Sequence, residues 1–251
     1  MTIQTIDAVI ATLEIIISEC EKNQNPMGYF PALYKRVTRK VKEEIAQNKF
    51  DDGLRMEKLA VVFAGRYLDA WSAWQRNEPV TRSWQKTFGT SDKYRPIVLQ
   101  HLLLGMNAHI NLDLGIAAAE ISKGKNPVDL QNDFNRINAI LSSLVHEVQD
   151  DLSLVWPALK LILKHTGKVD DYLVDFSMKL ARKGAWKVSL SLSGLSGPQL
   201  EMAIFERDLR VAAKTDVVLK TGIIASIVLW IVRITERGSV SEKILKLKRN
   251  P

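Results

Sequence analysis

One cysteine, Cys20, in 251 residues excludes an internal disulfide. The same scarcity fits a reducing compartment. Cys20 stands in an isoleucine-rich stretch, where a small thiol is expected to pack in the core rather than act as a nucleophile. Long apolar runs are also missing. The longest, Gly222 to Val232, is about half of what a bilayer span needs. It reads as a buried helix, with a peripheral membrane role as the lesser alternative, and no transmembrane segment is expected. Met1-Thr2-Ile3-Gln4 lacks the basic, apolar and small-residue order of a signal peptide, so a cytoplasmic location is expected. There is no glycine-rich phosphate loop, no Gly-x-Ser-x-Gly elbow and no His-Glu-x-x-His pair. Those absences remove the commonest signatures of nucleotide binders, α/β-hydrolases and zinc proteases.

What is present is ordinary globular material. The chain is 46% hydrophobic and 25% charged, enough to bury a sizeable core in one domain. The net charge is +7. Basic residues concentrate at Lys35, Arg36, Arg39, Lys40 and Lys42, and again at Lys243, Lys246, Lys248 and Arg249. The first group reads as the wet face of an amphipathic helix and the second as a solvated tail. No zinc-finger, RNP or helix-turn-helix pattern accompanies them, and nucleic acid is not the expected partner.

Helical periodicity runs nearly throughout. It predicts helices over Ile3–Lys22, Phe30–Gln47, Leu54–Arg76, Ile97–Ser122 and Val128–Val155. In the third of these, Leu59, Val62, Phe63, Ala70 and Trp74 are expected to form the buried face, with Arg66 near its middle. Pro157 opens a short helix to about His165, and Val169–Leu192 continues the pattern. Ser189, Ser191 and Ser193 alternate with leucines, so that run could instead be extended. Gln199–Arg237 is one long helix or a pair, with Phe205, Leu209, Ala213, Ile223 and Ile227 as its apolar stripe. No convincing strand pair and no internal repeat is visible. The expected fold is all-α, a multi-helix bundle with a buried central histidine-bearing helix. It is read as a single domain over 1–251, with a subdivision conceivable near 194–198.

The chain has four histidines, and His101 and His109 share that central helix. His109 and Asp113 are four residues apart, so their side chains leave one face about one turn apart. Imidazole nitrogen and carboxylate oxygen in that relation can grip one divalent metal, zinc, iron or manganese. They can equally form a plain helical side-chain pair. His101 lies about 12 Å further back along a straight helix, too far for the same ion but within reach of a substrate in the same groove. Gln100, Asn107 and Asn111 align on a second side as a polar ridge able to contact a substrate. Arg66 is expected either in an ion pair with Asp69 or Asp113 or as a clamp on an anionic group. Asp69 is the candidate third ligand or general base.

Three further sets are weaker. His146 and Asp150 repeat the four-residue spacing, but their phase points to solvent. His165 reads as a helix C-terminal residue. Asp216 and Lys220 fall on the apolar stripe as a buried ion pair. Trp71, Trp74 and Trp84 read as packing residues.

The segment His101 to Leu114, with Phe63-Ala64-Gly65-Arg66-Tyr67-Leu68-Asp69 upstream, resembles a bacterial family of unknown function. Its members are similar around a His-x7-His-Ile-Asn-x-Asp-Leu core. The likeness runs from about Tyr29 to Leu159, implies an all-helical protein and brings no activity. The His-x3-Asp pair His109 and Asp113 also resembles that of the helical zinc-dependent phospholipase C and P1 nuclease group, over about one helix. Gly105 stands where His101 would need its own partner, and four histidines are too few for a trinuclear cluster. That likeness bears on reaction class alone.

Together these readings predict a metal-dependent hydrolase of a small phosphate or carboxylate ester. His109 and Asp113 would hold the metal, Arg66 and Asp69 would assist, and His101 would transfer protons. The alternatives are a non-enzymatic bundle binding an apolar or amphiphilic small molecule, and a metal-independent isomerase or cyclase using the same pocket.

Overall fold

The computed structural model describes residues 3–156, 178–219 and 222–248, apart from the side chains of 139, 142–150, 153, 178–179 and 223–225. All regular elements among the described residues are helical. In chain order they are α1 (Ile6–Lys22), α2 (Tyr29–Ala46), α3 (Gly53–Gln75), α4 (Arg82–Phe88), α5 (Val98–Ala108), α6 (Leu114–Ile121), α7 (Gln131–Val155), α8 (Met178–Leu192), α9 (Gly197–Leu219), α10 (Ile223–Thr235) and α11 (Val240–Lys248). Short 3-10 turns, Pro26–Gly28 and Pro127–Leu130, precede α2 and α7.

The helix starts follow from local chemistry. Thr5 accepts the Ala8 N–H and opens α1. Asp52 accepts the Arg55 N–H and opens α3, as N-cap side chains do. The buried carboxylate of Asp133, on α7, accepts the N–H groups of Asp51 and Asp52 and ties the turn before α3 to a distant helix.

α5 passes into α6 through one π-helical turn, His109–Asp113, so Val98–Ile121 is a continuous rod. It is the one helix among the described residues long and apolar enough to cross a bilayer, and 89% of its apolar window is buried in the protein. Its apolar residues are therefore covered by neighbouring helices. α2, α4 and α9 pack around α5, and α3 and α8 around α6. Two glycines allow the close approach. A Cβ on Gly105 would stand 2.4 Å from the Phe30 ring of α2, and one on Gly115 would stand 2.9 Å from Val188 of α8.

Three expectations are corrected, and one that was left open is decided. The deeply buried face of α3 is Met56, Leu59, Ala64, Tyr67, Leu68 and Trp71, rotated from the predicted stripe, so Arg66 lies at its edge. Lys35 and Arg36 are buried rather than wet, paired with Glu14 and Asp151. The serine run is helical through Leu192, and the hydroxyls of Ser189, Ser191 and Ser193 donate to the carbonyls of Trp186, Val188 and Leu190 three residues back. In α9, Phe205 and Leu209 are exposed and the inward face is Asp208, Val211, Ala212, Thr215 and Val218. Asp216 is accordingly half-exposed and pairs with Lys86 at 3.3 Å. Lys220, His165 and the side chains of His146 and Asp150 lie outside the described residues.

Candidate functional site

His109 and Asp113 open and close the π-helical turn, and both are buried. His109 Nδ1 lies 3.2 Å from Asp113 Oδ2. Arg66 Nε, from α3, donates to Asp113 Oδ1 at 3.0 Å, and the indole N–H of Trp84, from α4, donates to Oδ2 at 2.9 Å. Three separate elements thus converge on one carboxylate. The anion is held by two fixed donors, so Nδ1 of His109 is the third donor, and Nε2 is left with its lone pair. Nε2 is buried with no hydrogen-bond partner among the described residues, and the Tyr67 hydroxyl is in the same condition. Unpaired buried polar atoms are uncommon and expensive.

The imidazole is boxed by rings. Phe63 stacks on it at 3.6 Å between centroids and 10° between planes, and Tyr34 meets it edge-on at 4.5 Å. Phe30, Tyr67 and Trp84 complete the enclosure at 5.6, 6.2 and 6.2 Å. Burial in this box pushes the His109 pKa down, and Arg66 adds to that; the bond to Asp113 opposes it. Burial likewise raises the Tyr67 hydroxyl well above its ordinary value. At neutral pH the site therefore holds a neutral imidazole base and a neutral phenol.

His101 stands elsewhere on the same helix, edge-on to Tyr29 at 5.7 Å. With Phe30, Tyr67, Trp84, Thr87 and Phe88 it lines a cavity of about 20 Å³, room for one water molecule. Its pKa falls from 6.5 to about 4, first through burial and then through Arg233 and Lys243.

The other predicted residues do not gather here. Asp69 is exposed on α3, and the carboxylate that meets Arg66 is Asp113. Arg66 itself is 28% exposed and reaches inward from the edge of its helix. The polar ridge serves packing against α9. Asn107 donates to the Val211 carbonyl at 3.0 Å, Gln100 to the Val218 carbonyl at 2.8 Å, and Asn111 to the Asn107 side-chain oxygen at 3.0 Å. Arg207 returns a bond to the Asn111 carbonyl. Gln100 also accepts the Ile97 N–H at the start of α5. These amides have hydrogen-bond partners within the protein.

The donor set fits a divalent metal poorly. Asp113 Oδ2 already meets Trp84 and His109, which leaves Oδ1, bonded to Arg66 alone, as the oxygen with a lone pair to spare. Among the described residues no group of three His, Cys, Asp or Glu side chains stands together, and three protein ligands is the usual minimum. The aromatic members are what sequence reading missed. Trp84, read as packing, is a donor to the site. The four-residue spacings Phe30/Tyr34 and Phe63/Tyr67, the latter bracketing Arg66, are the signal that could have marked them.

A family model matches residues 6–221. The chain belongs to DUF5995, a family of unknown function. The match reaches beyond the Tyr29–Leu159 likeness at both ends and covers α1 through α9, so every residue around His109 lies within it. No curated protein and no solved structure matches the chain. None of these comparisons supports the likeness to the phospholipase C and P1 nuclease group.

Proposed function

We propose that this protein is a metal-independent acid–base catalyst acting on a small, largely apolar molecule. His109 Nε2 is the general base and the Tyr67 hydroxyl the hydrogen-bond donor. The observation that carries the reading is the asymmetry around His109: Nδ1 and both Asp113 oxygens are bonded, while Nε2 is buried and unpaired. A carboxylate that fixes one ring nitrogen leaves the other in a defined tautomer, poised to accept a proton. The rings of Phe30, Tyr67 and Trp84 both surround the imidazole and wall the small cavity. A ligand bulkier than water would enter by moving them, and their surfaces favour an apolar body with one polar atom. Proton abstraction of the kind used by isomerases and cyclases fits this set better than ester hydrolysis at a metal.

The test is ¹⁵N NMR of the histidine side chains in the full chain, followed by a screen of cyclic ketone and phenol fragments. Nε2 of His109 should be unprotonated at neutral pH. Fragment binding should shift its resonance and vanish in His109→Phe. That variant removes the unpaired Nε2 but also one donor to the buried Asp113, so a cost of about 1–3 kcal/mol is expected and circular dichroism must show it folded. Stoichiometric zinc, iron or manganese in wild type, lost in folded His109→Ala and Asp113→Ala variants, would overturn the proposal in favour of a metal site. Absence of any fragment response would leave His109 as an internal strut.

A further inference from the structure

We infer that the outward face of α10 docks on an anionic membrane surface. Ile227, Trp230, Ile231 and Ile234 recur at the three- and four-residue steps of one helix face, and each is 42–58% exposed. Val228, Leu229 and Val232 turn the other way and pack on the main core. The result is a continuous apolar stripe in water, which marks an interaction surface. α10 holds no carboxylate, and its one charged residue is Arg233.

The surroundings of the stripe are cationic. Arg233 Nε donates to the Tyr94 carbonyl at 2.6 Å, and its guanidinium lies 4.5 Å over the Tyr94 ring. The turn carrying Lys93, Tyr94 and Arg95 is thereby fixed beside the helix, and all three are exposed, as is Arg237 beyond the helix end. The acids there count for less: Glu236 is buried between Arg233 and Lys243, and Asp92 is the exposed one on the turn. An aliphatic stripe with a half-exposed tryptophan and a tyrosine, bordered by bases, matches the interfacial region of an anionic bilayer. Two copies joined by this face would bring like-charged rims together, which disfavours self-pairing. The family match ends at residue 221, just before α10.

Cosedimentation of the full chain with vesicles tests this, using phosphatidylcholine alone and phosphatidylcholine mixed with phosphatidylglycerol. Binding is expected to the mixed vesicles and should weaken as salt is raised. The double variant Ile227→Ser/Ile231→Ser should lower partitioning by at least about tenfold. Lys93→Ala/Arg95→Ala should lower binding to the anionic vesicles alone. All four side chains are at the surface, and circular dichroism should be unchanged. Failure to bind either vesicle, or equal binding by both variants, would overturn the inference. A wild-type dimer abolished by Ile227→Ser/Ile231→Ser would also overturn it and assign the face to a second copy.

Discussion

Asp113 is 1% exposed, and its charge is tolerable only because Arg66, Trp84 and His109 surround it. Arg66→Met should therefore destabilise the protein by about 2 kcal/mol, less than a fully buried pair would lose because the guanidinium is partly wet. Arg66→Met/Asp113→Leu should recover part of that loss, since removing both charges leaves none stranded. Urea unfolding of the two single variants and the double variant reads the coupling directly. Recovery by the double variant is the required outcome; additive losses would mean the two side chains do not share an energy. Gly105 acts through shape instead. Its missing Cβ is the space occupied by the Phe30 ring, which also touches His109, Tyr67 and Trp84. Gly105→Ala gains helix propensity, yet overpacking should win and cost about 1–3 kcal/mol. Unchanged or raised stability would mean that Phe30 can move aside freely.

At the scale of elements, α4 has no capping bond from its own Thr81. Asp208, buried on α9, supplies one from outside by accepting the N–H groups of Arg82 and Ser83 and the Ser83 hydroxyl, at 2.6, 3.0 and 2.6 Å. This seven-residue helix delivers Trp84 to Asp113. Asp208→Ala should cost about 2–4 kcal/mol and loosen Trp84, seen as a changed tryptophan near-ultraviolet circular dichroism signal. An unchanged signal would separate α4 from the site. Much of this level was legible in the sequence: the helices, the central position of the histidine rod, and the His109/Asp113 pair all follow from periodicity and spacing. The partners were not. The choice of Asp113 over Asp69 depends on α3 being rotated from its apolar stripe, and that rotation is set by Tyr67 and Trp71 packing inward, which periodicity alone does not weigh. The π turn adds a residue to one helical turn; nothing local at His109–Asp113 announces it. Exposed Phe205 and Leu209 on α9, with Asp208 inward, show the same limit: a capping partner far along the chain decided which face turned in.

At the scale of the whole molecule, two buried imidazoles make stability depend on pH. His101 falls from 6.5 to about 4 in the folded chain, and His109 is lowered as well, each chiefly by burial. Below pH 6.5 the unfolded chain takes up protons that the folded chain refuses. Stability from these groups is thus fully present above pH 6.5 and drains away as pH falls toward the folded values. For His101 alone the loss is on the order of 3 kcal/mol by about pH 4. Urea unfolding at pH 7 and pH 5 should show the decline, with a smaller drop in His101→Phe, which has no proton to accept. Carboxylates contribute in the same direction: burial acts to raise the Glu14 pKa, but its bonds to Lys248 and Lys35 together lower it from 4.5, and that contribution is lost only as pH falls through 4.5 and below. The His101→Phe comparison separates the two, because only the imidazole part lies between pH 6.5 and 5. An equal drop in variant and wild type would show that His101 is protonated in the folded chain, and that the cavity it lines with Tyr67 is wetter than its walls imply.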